Sequence, residues 1–113
     1  MADVRDLISA MKIHYVYILS NKFHNVFYIG MTNDLKRRLN EHRSNLIPGF
    51  TGKYNVFKLL YFESLPNKEE AVKREQVLKR WRKQWKKNLI ESFNKEWEDL
   101  AYLVEGDPAT SAG

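Results

Sequence analysis

Residues 28–42 read YIGMTNDLKRRLNEH, a short apolar strand that runs through a glycine into a helix rich in cations. Tyr28, Ile29 and Gly30 form the end of the strand. Asn33 is placed to cap a helix beginning near Asp34, because its side-chain oxygen can accept from a free amide one turn on. From there Leu35, Leu39, His42 and Leu46 recur at helical spacing, a single stripe that must face the body of the protein. Arg38 precedes His42 by four residues, so guanidinium and imidazole project from one side of the helix, beside the strand that carries Tyr28. An arginine, a histidine and a tyrosine are thereby expected to converge. The competing reading is a hydrogen-bonded core histidine with a solvated arginine nearby.

The chain has 113 residues, enough for one domain with a modest core. It contains no cysteine, which excludes a disulfide framework and a thiolate zinc site and agrees with a reducing compartment. No apolar run approaches the length of a membrane span, and MADVRDLISAMK at the N-terminus carries acids before its short apolar patch, unlike a secretory signal. The expectation is a soluble cytoplasmic protein with no membrane partner. Lysine plus arginine outnumber the acids 19 to 14, a net charge of +5, and the excess is local. From Ala71 to Ile90 eight cations stand against Glu75 alone, and after Ile90 the sign reverses. Phosphate contact plus stacking would use such a basic segment with Trp81 and Trp85 interleaved. Large aromatics at helical spacing are usually packed, however, and both tryptophans are expected in the core.

In chain order, Ile13 to Leu19 is β-branched and aromatic and apolar on both faces, as a central strand covered on each side would be. The connector Ser20 to Asn25 leads into Val26 to Ile29, so these strands should form a hairpin. A symmetric connector would set Tyr17 directly across from Tyr28, with both phenols on one face. The first helix is predicted from Asn33 to about Leu46, followed by a loop around Pro48, Gly49 and Gly52 and a third strand from Val56 to Phe62. Asn67 with Glu70 opens a second helix running to about Trp85, whose inward stripe is Ala71, Glu75, Leu78, Trp81 or Arg82, and Trp85. A carboxylate on that stripe is costly unless a metal, an arginine or a hydrogen-bonded partner compensates it, which singles out Glu75. Lys86 to Phe93 either continues this helix or forms another, Asn94 lies in a turn, and Trp97, Leu100 and Leu103 supply a small cap. The domain is expected over residues 12–104, with a flexible extension at 1–11 and a disordered tail at 105–113.

Tyr15-Val16-Tyr17, then Tyr28-Ile29-Gly30, then Arg38 and His42 in the following helix and Glu75 in a later one, resemble the GIY-YIG nuclease superfamily. The phrases VYILSNK, FYIGMTNDLKRRLNEH, LLYFES, AVKREQVLKRW and LIESFNKEWEDL are similar to its small single-domain bacterial members over most of Ile13 to Leu100. Tyr15 stands where the first motif of the family has glycine. The resemblance implies an α/β (α+β) fold, a three-stranded antiparallel sheet flanked by helices in the order β-β-α-β-α-α. It also implies divalent-metal-dependent cleavage of phosphodiester bonds, with Mg2+ or Mn2+ as cofactor. Tyr17, Tyr28, Arg38 and His42 take the catalytic positions and Glu75 is both catalytic and the metal ligand. Arg37, Lys53, Lys79, Arg82 and Asn94 are the expected nucleic-acid contacts.

Those residue types suit the chemistry. A magnesium ion held by one carboxylate keeps most of its waters and can bind phosphate directly. Arg38 presents a two-pronged donor to phosphate oxygens that lysine cannot copy. Tyr17 is the candidate general base, with an ordinary pKa near 10 that is too high unless neighbours favour the phenolate. The expected partner is DNA, branched or damaged forms included, ahead of RNA, and the expected setting is DNA repair or recombination. The alternative is a nucleic-acid-binding module on the same scaffold that does not cleave, and a third reading is a protein-interaction domain using the acidic C-terminal stretch.

Overall fold

The computed structural model describes residues 12–43, 56 and 58–105. The expected extension at 1–11, Leu46, the loop at 48–52, Lys53 and the tail beyond Glu105 lie outside the described residues. Three strands, β1 (His14–Ser20), β2 (Phe27–Thr32) and β3 (Lys58–Leu65), form an antiparallel sheet in the order β2-β1-β3. Helix α1 (Leu35–Arg43) follows β2, and α2 (Lys68–Arg80), α3 (Lys83–Phe93) and the five-residue α4 (Ala101–Glu105) follow β3. The predicted order thus holds, with α4 added at the end.

The central position of β1 explains its composition. Val16 to Ser20 are all buried, because helices cover both faces of the sheet. On one face Val16, Ile18 and Ile29 pack with Ala71 and Leu78 of α2 and Ile90 of α3. On the other, Tyr17 and Leu19 pack with Leu35 and Leu39 of α1 and with Leu100 and Ala101. The stripe Leu35, Leu39, His42 faces inward as its spacing requires.

The β1–β2 register differs from the symmetric one. Tyr17 pairs with Gly30 and Tyr28 with Leu19, so the tyrosines are diagonal neighbours and not directly opposed. The shift is by two residues, which preserves the face of every side chain. Asn21 sets the register: its side-chain oxygen accepts from Asn25 N at 3.0 Å and Val26 N at 3.1 Å, and His24 completes the turn at φ 56°. The strand also runs two residues past Gly30, and Asp34 takes the capping role expected of Asn33. Asp34 Oδ1 accepts from Arg37 N at 3.1 Å, while Thr32 Oγ1 accepts from Asp34 N at 3.1 Å.

The second helix does not reach Trp85. Trp81 and Arg82 adopt extended backbone (ψ 147° and 152°), and α3 begins anew at Lys83. This break overturns the common inward stripe: Ala71 and Leu78 are fully buried, Trp81 packs at the edge of the core, and Trp85 is 50% exposed. Asn67 does cap α2, accepting from Glu70 N at 2.9 Å.

A bulge on β3 fixes the C-terminal segment. Ile18 pairs with Tyr61 and Leu19 with Leu59, so Leu60 is the extra residue whose backbone has no place in the ladder. Its carbonyl accepts from Asn94 Nδ2 at 3.1 Å. Leu59 N donates to Asp99 Oδ1 at 3.2 Å, and Leu59 O accepts from Leu100 N at 2.7 Å. Asp99 also accepts from Ala101 N and from Arg43 Nη2, each at 3.1 Å, and so ties the end of α1 to the start of α4.

Gly30 is required by packing. A Cβ there would lie 2.5 Å from the Tyr17 hydroxyl and 2.6 Å from Tyr17 Cζ, so the phenol occupies the space a side chain would fill. Overpacking of this kind costs about 1–3 kcal/mol. We expect Gly30→Ala to destabilise the fold by that amount in denaturant titration, and the penalty to shrink in a Tyr17→Leu background, which removes the clashing ring tip. Additive penalties would show that the ring does not lie over Gly30.

Candidate active site

The site forms where β1, β2 and α1 meet. Tyr17 points from β1 to the α1 face, and the missing side chain of Gly30 lets its ring lie flat across β2. Its hydroxyl lies 3.1 Å from His42 Nε2 in a buried hydrogen bond. Tyr28 completes the cluster, its ring centroid 5.3 Å from that of His42 and 6.3 Å from that of Tyr17. His42 is therefore both a buried histidine and a member of the cluster, so the two readings of its place in the stripe are reconciled.

Arg38 lies one turn before His42 with its side chain 32% exposed. Its Nε is 3.8 Å from Glu41 Oε1, and Arg37 Nε approaches the same oxygen at 4.0 Å. Three buried polar atoms, Arg38 Nε, Glu41 Oε1 and His42 Nδ1, have no hydrogen-bond partner among the described residues. They fall within a single turn of α1. Two of them, Arg38 Nε and Glu41 Oε1, form an ion pair with each other that is too long for a hydrogen bond.

Glu75 comes from α2, on the opposite face of the sheet, with its side chain 18% exposed and Lys79 Nζ 3.0 Å away. The compensating partner its position asked for is thus a lysine one turn along the same helix. Its charge nonetheless reaches the cluster. Burial, above all, holds the Tyr17 hydroxyl well above the ordinary phenol range; Tyr28 adds to this, Arg38 opposes it, and the carboxylates of Glu75 and Glu41 raise it further. Tyr17 therefore keeps its proton at neutral pH. Burial also lowers the pKa of His42, Arg38 lowers it more, and Glu41 partly offsets them, so the imidazole is neutral.

A divalent ion fits this donor set in one form only. No group of three histidine, cysteine, aspartate or glutamate side chains able to hold a metal is present among the described residues. Zinc, which takes three or four protein ligands, has no such site there. Magnesium or manganese, held by a single carboxylate with waters and phosphate oxygens completing the shell, is compatible with Glu75.

Of the remaining expected contacts, Arg37 and Lys79 are exposed but engaged with Glu41 and Glu75. Arg82 is exposed at the N-cap of α3, its guanidinium 5.8 Å from the centre of the Trp85 ring. Asn94 is buried, with its amide donating to Leu60 O and Glu98 O and its oxygen accepting from Glu98 N, all internal bonds. Sequence reasoning missed Glu41, although its position three residues after Arg38 and next to His42 is a readable signal.

The profile of the GIY-YIG catalytic domain matches residues 13–88, which include both tyrosines, Arg38, His42 and Glu75. The chain belongs to the GIY-YIG family. Within it the chain is similar to small bacterial proteins known as UPF0213. One from Clostridium perfringens is 38% identical over 79 residues, covering 70% of this chain and 84% of that protein. Another, from Streptococcus pneumoniae, is 34% identical over 91 residues, covering 80% and 90%. The solution NMR structure of the UPF0213 protein from Bacillus halodurans superposes with a TM-score of 0.51 at 32% identity, over 80% of this chain and 96% of that one. The domain implies nuclease-type chemistry on a nucleic acid. No helix among the described residues is long and apolar enough to cross a membrane.

The lowered pKa of His42 has a consequence for stability. The unfolded chain takes up a proton near pH 6.5 that the buried imidazole refuses, so protonation favours unfolding. Stability should be full above pH 6.5 and fall as the pH drops toward the lower folded-state value, and His24, whose pKa burial and Lys58 also lower, contributes in the same direction. In denaturant titrations at pH 7.5 and 5, His42→Gln should narrow the difference in unfolding free energy relative to wild type. An unchanged difference would mean that His42 is not the buried neutral group described.

Proposed function

We propose that the chain is an endonuclease that hydrolyses phosphodiester bonds in DNA with the help of one divalent metal ion. The observation that carries this reading is the turn of α1 in which Arg38 Nε, Glu41 Oε1 and His42 Nδ1 are buried without hydrogen-bond partners among the described residues, beside the hydrogen-bonded Tyr17. A phosphate bound there would satisfy Arg38 with a two-pronged, charge-assisted contact. Glu75 would hold the metal, which when bound supplies positive charge against the developing phosphate charge and a template for in-line attack.

The proton path follows from the two shifts. Burial keeps Tyr17 protonated, so it is no free phenolate base. It can take a proton from the attacking water only as its own passes to His42 Nε2, 3.1 Å away. Burial first and Arg38 second hold the His42 pKa down, and an incoming phosphate would offset the Arg38 charge, so substrate binding would make His42 a better acceptor to that extent. Tyr28, at the open side of the cluster, would orient the water or phosphate. Work on branched or damaged DNA in repair or recombination is the setting proposed, in the cytoplasm.

Nicking of supercoiled plasmid in magnesium or manganese tests this. Activity should vanish with a chelator, fall on the order of 100-fold or more in Glu75→Ala and Arg38→Ala, and fall substantially in Arg38→Lys, which keeps charge but loses the fork. Equal activity in wild type and all variants would refute the site. Salt-sensitive DNA binding with no metal-dependent product would favour the non-cleaving module, a reading supported by the cations of α2 and α3.

A further inference from the structure

Trp85 is a large apolar side chain left half in solvent in the most basic part of the molecule. It is held, not loose. Its ring meets that of Trp81 edge to face, with centroids 6.0 Å apart, and Trp81 packs half-buried against the edge of the core, with Arg74 5.5 Å from the centre of its ring. Arg74 is fixed in turn by Glu63 at 2.5 Å. Arg82 lies over the Trp85 ring, its guanidinium 5.8 Å from the ring centre, and its side chain makes no capping bond to α3. The helix break at Trp81 and Arg82 creates this arrangement, because a continuous helix would carry Trp85 onto the inward stripe.

The break also sets the location. Helix α2 starts beyond Leu65, which pairs with His14, and runs back toward the end of the sheet where Ser20 pairs with Phe27 and Lys58. There Lys83 donates to Asn25 O at 2.6 Å. Tyr28, paired with Leu19, lies at the same end. Along α2, the helix rise carries the chain about 7 Å from Glu75 to Arg80, so the basic junction begins within a few nucleotide spacings of the metal-binding carboxylate.

We propose that Trp85, with Arg82 beside it, is a stacking subsite for an unpaired base of the nucleic acid whose backbone is cut at the site around Tyr17. The inference rests on the nuclease reading for its ligand. Every base offers a π-face to an exposed indole, and the Arg82 guanidinium, displaced from over the ring by an incoming base, would meet the adjoining phosphate. A base inside an intact duplex is already stacked on both sides, so this subsite selects substrates with single-stranded nucleotides next to the cleaved bond.

The test is binding without divalent metal, so that nothing is cut, using an oligothymidylate of about 16 nucleotides and a blunt duplex of equal length. We expect Trp85→Ala to weaken single-strand binding about 5- to 100-fold and leave duplex binding unchanged. Trp85→Phe should restore the affinity, while the fluorescence quenching that the single strand causes in wild type should be lost with the indole. Arg82→Ala should weaken single-strand binding and leave the quenching at saturation. Equal losses for strand and duplex would overturn the subsite, as would no loss for either. If wild type binds the strand and cuts with metal while Trp85→Ala binds as tightly, the subsite falls and the nuclease reading stands. If wild type binds neither nucleic acid, both fall.

Discussion

The phenol of Tyr17 lies in the space that a side chain on Gly30 would occupy, and its hydroxyl meets His42 across the interface between sheet and helix. That contact sets the position of α1. With Leu35 and Leu39 packed on the same face, the helix has one way to sit that buries its apolar stripe and gives Tyr17 a partner. Arg38 and Glu41 are then delivered beside the phenols as consequences of helical geometry. The local cost is visible in three polar atoms without hydrogen-bond partners among the described residues, and the packed stripe on either side sustains it.

The sheet separates this chemistry into two supports. The α1 face carries both tyrosines and the histidine, while the glutamate comes from the helix on the other face, where Ala71 and Leu78 fix α2. Strand β1 lies between them and is buried on both sides, so movement of one face is resisted by the packing of the other. Asp99 binds Leu59, Ala101 and Arg43 together, and Asn94 satisfies the bulged Leu60. The C-terminal acids thus include structural acceptors that brace the strand and helix around the site.

The legible parts of the chain were those written in periodicity. The central strand, the stripe of α1, the cap at Asn67 and the odd placement of Glu75 all follow from residue type and spacing. What was not legible depends on backbone detail that carries no periodic signal. The register shift comes from the side chain of Asn21 folding into the hairpin turn, and the cap moved to Asp34 because β2 keeps pairing as far as Thr32. The bulge at Leu60 leaves no mark in an apolar run such as LLYF, so the structural employment of Asn94 was out of reach. The break before α3 was hidden for a similar reason: Trp81 and Arg82 suit a helix, and nothing in their identity announces extended backbone.

A buried phenol beside a neutral imidazole is a poor base, since burial, Tyr28 and the carboxylates of Glu75 and Glu41 hold the proton on Tyr17, while burial and Arg38 discourage it from moving to His42. On the proposed reading, a phosphodiester charge placed against Arg38 would offset the part of the His42 shift that Arg38 causes and leave the part that burial causes. On that reading the site would be most active with a backbone phosphate held against α1, and binding energy from elsewhere on the strand could be used to hold it there. The cations and the exposed indole beyond α2 are the side chains positioned to supply that energy.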